Sequence, residues 1–332
     1  MDFFITFFAA FSVYSTNYLA SESLPILGSA YGVALVCRGV LPLLTRQDRY
    51  FRWLPLLHVS FLLGVVSVSF ASGSLTIYLV GIILALFLGA FTGSYVFAMQ
   101  VAYSQRLSKP TRFFSLITGI EALAFVLAPV LVYFTSSRMV FLTALVGLLV
   151  IATGLLWFIK RYGESALSPK FYARRLVVIH TALPLGTVAM SAWVLQYLWM
   201  GSFFLIAGRA GLHSGLITLA LEIETVTYMV VQFIFSRTGL EKIASWRTLI
   251  VAVAVYGCLV VGLISDALFP YPLLGLIAIL IGIAAVSVFI DPIVDSLTAK
   301  LSQPTQSSTV VGSLRSFGGG VGYTLASIAS FR

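Results

Sequence analysis

Leu107-Ser108-Lys109-Pro110-Thr111 is written a second time in this chain, as Leu301-Ser302-Gln303-Pro304-Thr305, with one change in five residues. The shift is 194 residues (301 − 107), and the frame runs on without gaps, setting Gly81 on Gly275, Arg106 on Lys300 and Glu121 on Arg315. Each copy is a short polar loop between two long apolar segments. A chain that repeats itself at such a distance is built of two similar halves. Internal repeats in a polytopic membrane chain point to a transporter.

Composition makes the bilayer the solvent. The 332 residues are 60% hydrophobic and only 9% charged, with a mean hydropathy of +1.04. A soluble domain carries about 25% charged residues, and a soluble fold of this length could not cover so much apolar surface. Backbone polar groups in lipid must be satisfied within the segment or within a closed barrel. Stretches such as Met139 to Phe158 lack the alternation of a barrel strand, so the spans are expected to be helices. The predicted class is therefore an all-α integral membrane protein of two pseudo-repeated helical bundles.

About eleven spans are read, near 3–20, 25–44, 53–71, 75–103, 113–135, 139–159, 176–207, 213–236, 247–265, 271–299 and 307–331. The division expected is a six-helix bundle over 1–160, a basic linker over 161–175 and a five-helix bundle over 176–332. The repeat frame would place a partner for the sixth span near 333–353, past Arg332, so a twelfth helix is not expected in this chain.

The net charge of +9 sits in short loops between spans, which argues topology rather than nucleic-acid binding. Arg46 to Arg52, Arg106 to Arg112, Lys160 to Arg175, Arg237 to Arg247, and Lys300 fall on one side; Arg138, Arg209 and Arg332 fall on the other. The positive side is expected to be cytoplasmic, with the N-terminus on that side of the cell membrane. Residues 1–20 lack the basic start of a signal peptide. Cys37 and Cys258 lie inside apolar spans and are read as small hydrophobes. His58, His180 and His213 have no ligand spacing; the first two are expected to be core histidines and the third a loop residue. There is no Walker-type loop for ATP. No cofactor and no metal are expected.

With these features, the chain resembles the major facilitator superfamily. The loop between the second and third spans of that family is G-x-L-a-D-R-x-G-R-R. Gly39-Val40-Leu41-Pro42 opens it here, Leu43 stands in the acidic slot, and the basic cluster moves to Arg46, Arg49 and Arg52. The second-half version, Ser236-Arg237-Thr238-Gly239-Leu240-Glu241-Lys242, follows the pattern with Ser in the acidic slot. Ala124 and Ala128-Pro129 stand where drug/proton antiporters carry G-x-x-x-G-P, and their fourth-span arginine has no match near Leu84 to Gly93. The resemblance implies that spans one, four, seven and ten line a central cavity. It implies that spans two, five, eight and eleven form the contact between halves.

Charged residues inside spans cost about 2.5–3.5 kcal/mol each on insertion scales, so each needs a partner or a purpose. The set is Arg38, Glu121, Glu222, Glu224, Asp291, Asp295 and Arg315, five acids against two bases, which leaves three carboxylates unmatched (5 − 2). An unmatched carboxylate in low dielectric can hold a proton near neutral pH. Asp291 and Asp295 are four apart and share a helix face. Pro292 between them should bend the helix or free a carbonyl. This pair is the first candidate for substrate or proton handling, or else a structural partner of Arg315; Glu121, Glu222 and Glu224 are further coupling candidates. Arg38 and Arg315 are candidates for a gate or interdomain ion pair, bridged by Asp291 or Asp295. Glu121 is expected to meet Tyr228 or Gln232. Glu222 and Glu224, in the outer half, are not expected to meet Asp291.

Polar-tipped aromatics and amides on the expected cavity spans are candidates for solute contact: Tyr14, Asn17, Tyr95, Gln100, Trp193, Gln196 and Tyr197. The glycines of the eleventh span, Gly312, Gly318, Gly319, Gly320 and Gly322, would allow close helix packing. The leading expectation is a monomeric carrier of a small organic solute, with protons as a possible second partner. A membrane-embedded enzyme and a non-transporting or truncated protein are the alternatives.

Overall fold

The computed structural model describes residues 35, 36, 39, 40, 97, 100, 101, 104, 105, 107–134, 175–209, 214–238, 242–265, 272–301 and 304–330. Six long helices carry them: α1 Pro110–Phe134, α2 Arg175–Arg209, α3 Ser214–Thr238, α4 Trp246–Ile264, α5 Pro272–Lys300 and α6 Pro304–Ser330. There is no strand among the described residues. These helices fall on the predicted fifth and seventh to eleventh spans. Those of the first four spans and the sixth, together with the linker, lie almost wholly outside the described residues.

Proline opens three of the six helices, at Pro110, Pro272 and Pro304. At a first helical position its fixed φ is favourable and its missing N–H costs nothing. α4 starts instead from Ser245, whose side chain accepts from the Thr248 backbone N–H.

The burial pattern is that of a helix in lipid. α4 buries Leu249, Ala252, Tyr256, Val260 and Leu263 on one face, yet its exposed face is apolar as well, with Val251 and Val261 more than 60% exposed. Water would not tolerate that second face over a whole bundle; acyl chains do. Leu219–Thr238, Trp246–Ile264 and Leu274–Lys300 are each long and apolar enough to cross a membrane.

α5 touches each of the other five described helices, and its Val288, Ile293 and Val294 are fully buried. α2 packs along α6 in the most extensive contact, where Gly318 meets the carbonyl of Met190 and Gly322 that of Val194. A Cβ at either glycine would collide with backbone, so this pair four residues apart is what lets the two helices touch. α1 packs on α3, the predicted contact of spans five and eight. Gly39, on the second span, presses against Ser313 and Phe317 of α6, the predicted contact of spans two and eleven.

Candidate functional site

Pro292 has no N–H to give to the Val288 carbonyl one turn back. The structure fills that vacancy from another helix: Gln232 Nε2 of α3 donates to Val288 O at 3.3 Å, from a fully buried position. α5 therefore runs on through the proline, and the two acids beside it keep their common face.

That face is turned to α6. Arg315 places Nη1 2.6 Å from Asp295 Oδ1 and Nη2 3.7 Å from Asp291 Oδ1. The same Nη2 lies 3.5 Å from the Asp291 backbone carbonyl. The side chains of Arg315 and Asp295 are about nine-tenths buried, whereas Asp291 keeps 22% of its surface. The predicted pairing of both acids with Arg315 is present. The bridge to Arg38 falls on a residue outside the described set, as do Tyr14, Asn17 and Tyr95.

Two further helices reach Asp291. Trp193 Nε1 of α2 donates to Oδ1 at 3.3 Å, and the Tyr228 hydroxyl of α3 donates to Oδ2 at 3.5 Å. Trp193 continues into a run of rings, with Tyr197 at 5.4 Å and Tyr323 a further 5.2 Å on. From the first half, the Phe97 ring lies 5.2 Å from the Arg315 guanidinium carbon, within cation–π range. The carboxylate pair of α5 thus gathers groups from three other helices, with Phe97 of the fourth span set over Arg315.

The remaining acids converge less directly. Tyr228 is acted on electrostatically by Asp291, Glu121 and Glu224 together, and Tyr256 by Glu224 and Asp291. Glu224 and Asp291 thus act on the same two tyrosines. The Glu224 carboxylate also accepts from Thr225 Oγ1 at 3.3 Å, and Tyr256 accepts from Trp199 Nε1 at 2.8 Å. Glu121, on α1, is half-buried, α1 packs on α3, and the Tyr228 hydroxyl of α3 donates to Asp291. Glu222 and Gln196 are half-buried without joining the Arg315 group, and Gln100 holds its Nε2 buried without a hydrogen-bond partner. His180 is exposed, which overturns its reading as a core histidine: it sits near the start of α2 with its side chain outside the packed face. Among the described residues, no three His, Cys, Asp or Glu side chains come together as a metal site would need.

One end of the bundle is tied across the halves. Thr111 Oγ1, in the first turn of α1, donates to Ser296 Oγ near the end of α5 at 2.9 Å, both fully buried. Arg112 Nη2 donates to the carbonyl of Thr238, the last residue of α3, at 3.3 Å. This is the end that carries Lys109, Lys242 and Lys300, all exposed. The sequence carried no signal for these contacts beyond the position of Thr111 in the repeated loop.

No family model matches the sequence, and no curated protein sequence matches it. The fold, by contrast, is similar to solved transporters over almost its whole length. The human organic anion transporter MFSD10 superposes with a TM-score of 0.61 at 18% identity, over 99% of this chain and 91% of that one. The E. coli fucose:proton symporter FucP gives 0.59 at 12% identity, over 98% and 93%. The nucleoside transporter NupG gives 0.54 at 15% identity, over 99% and 89%. The chain has a major-facilitator-like membrane fold, and its regular elements are all helices among the described residues.

Proposed function

We propose that this protein is a secondary transporter that moves a small organic solute by alternating access, with Asp291, Asp295 and Arg315 as its coupling group. The observation that carries the reading is a buried two-acid, one-base cluster, held by four helices, in a fold shared along its length with three transporters. A static core has no need of three ionisable groups in lipid, since well-packed apolar residues serve stability as well or better. The three structural neighbours are titled as transporters, which favours a carrier over an enzyme.

The chemistry follows from the asymmetry of the clamp. Arg315 is held closely by Asp295 and more loosely by Asp291, and Asp291 is the more exposed of the acids. A proton or a cationic group arriving at Asp291 removes the looser arm and leaves the Asp295 pair intact. Phe97 then transmits any shift of the guanidinium to the first half. The excess of Lys and Arg supports placing the tied end at the cytoplasm. The hydrogen bonds of Thr111 and Arg112 then describe an inward-closed arrangement, with the solute entering from the opposite side. A binding step that rearranges Arg315 acts on the neighbouring α5–α6 contact, and so on the seam those bonds close.

Proteoliposomes with an imposed pH gradient, screened against a broad solute panel, test this directly. Gradient-driven flux of one solute is expected in the wild type. Asp291→Asn is expected to retain binding but lose coupling to the gradient, while Asp295→Asn loses flux altogether. Full coupled flux in both variants moves the coupling group elsewhere. Absence of flux for every solute, with the protein folded and inserted, overturns the carrier reading.

A further inference from the structure

A cavity of about 270 Å³ opens at the tied end of the bundle, lined by Leu107, Ser108, Lys109, Arg112, Phe113, Leu116 and Ser236. Its walls come from both halves: the repeated loop and α1 on one side, and the end of α3 on the other. Among the described lining residues none is acidic, and two are cations. Lys109 is exposed at its mouth, and Leu116 presents an apolar edge that is 43% exposed.

The repeat separates what these cations do from what the loop needs. Shifted by 194 residues, Lys109 becomes Gln303 and Arg112 becomes Gln306, while Leu, Ser, Pro and Thr of the loop are unchanged. The second loop likewise leads into a helix that starts at its proline, Pro304. A loop of this sequence thus passes into a helix at its proline without either charge. The cations are present only in the copy that borders the cavity.

From this we infer that the cavity is a binding site for the phosphate headgroup of an anionic phospholipid. Its two cations match the phosphate, and a Lys or Arg near an anionic membrane surface contributes favourably to binding. The exposed Leu116 lies where the first methylenes of a lipid bound by its headgroup would run, a contact that a free phosphate ion has no use for. A headgroup held here touches both halves at once, beside the Arg112–Thr238 hydrogen bond. It therefore favours the closed arrangement of this end over any arrangement that parts α1 from α3. The site is separate from the Asp291 cluster, and its occupancy is read without any transport assay.

The test is lipid binding to the full-length detergent-solubilised protein, by native mass spectrometry and by the rise in unfolding temperature on titration. Phosphatidylglycerol is compared with phosphatidylcholine and with inorganic phosphate. Wild type is expected to bind phosphatidylglycerol selectively. Lys109→Gln, which copies the second loop, is expected to weaken it about fivefold, the equivalent of about 1 kcal/mol for one basic residue at an anionic surface. Lys242→Gln removes an exposed cation outside the cavity and is expected to leave binding unchanged. Equal losses in the two variants, or equal binding of both lipids, overturn the inference. Inorganic phosphate that binds as tightly as the lipid overturns the assignment to a headgroup. Lys109→Gln with wild-type unfolding temperature in the absence of lipid shows that a loss of binding is not a loss of fold.

Discussion

α1 and α6 begin at equivalent prolines, Pro110 and Pro304, after the same loop, yet the bundle uses them differently. α1 packs on α3 and carries Glu121 where α6 carries Arg315. α6 lies along α2 so closely that Gly318 and Gly322 touch carbonyls, and the equivalent residues of α1 are Ala124 and Ala128. The small residues are kept in both copies, which is the requirement of the scaffold. The charge is reversed, which no packing rule demands. What the two copies share is therefore architecture, and what they do not share includes Arg315 of the proposed coupling group.

Four changes would break or sharpen that contrast. Arg315→Glu gives α6 the residue of α1 and leaves three acids without their cation. Removing one partner of a buried ion pair costs about 3–5 kcal/mol, so this variant should fail to accumulate as folded protein in a size-exclusion profile. Gln232→Leu strips the Val288 carbonyl of its donor. An unpaired buried acceptor costs about 1–3 kcal/mol, to be read as a lowered unfolding temperature in detergent. Gly318→Ala copies Ala124 into the tighter seam. It gains about 0.8–1.0 kcal/mol of helix propensity against about 1–3 kcal/mol of overpacking, so a smaller net loss is expected on the same measurement. Thr111→Val deletes the bond to Ser296 at a cost of about 0.5–1.5 kcal/mol. Its sharper readout is faster labelling of a cysteine introduced at Ser115, buried one turn further along α1, because the tied end opens more often. Labelling at the wild-type rate would remove Thr111 from the seam.

Much of the second half was legible from sequence. Unbroken apolar runs bounded by proline and polar loops set the ends of α2 to α6 to within a few residues. The i, i+4 acids of α5 and the lone arginine of α6 had few partners but each other. Other features were not legible because they depend on where helices lie side by side. Trp193 and Asp291 are 98 residues apart, and nothing in either segment says that the indole would turn to that carboxylate. Phe97 over Arg315 looks like any aromatic in an apolar span. His180 misled because an apolar neighbourhood in sequence was read as an apolar neighbourhood in space.

The bond from Gln232 to Val288 has a mechanical consequence. A helix with one rung of its ladder missing is compliant at that level, and its direction of bend is set by whatever fills the gap. Here the filler belongs to α3, so the stiffness of α5 beside its two acids is a joint property of both helices. Any torque on α3 is delivered to the turn of α5 that holds Asp291.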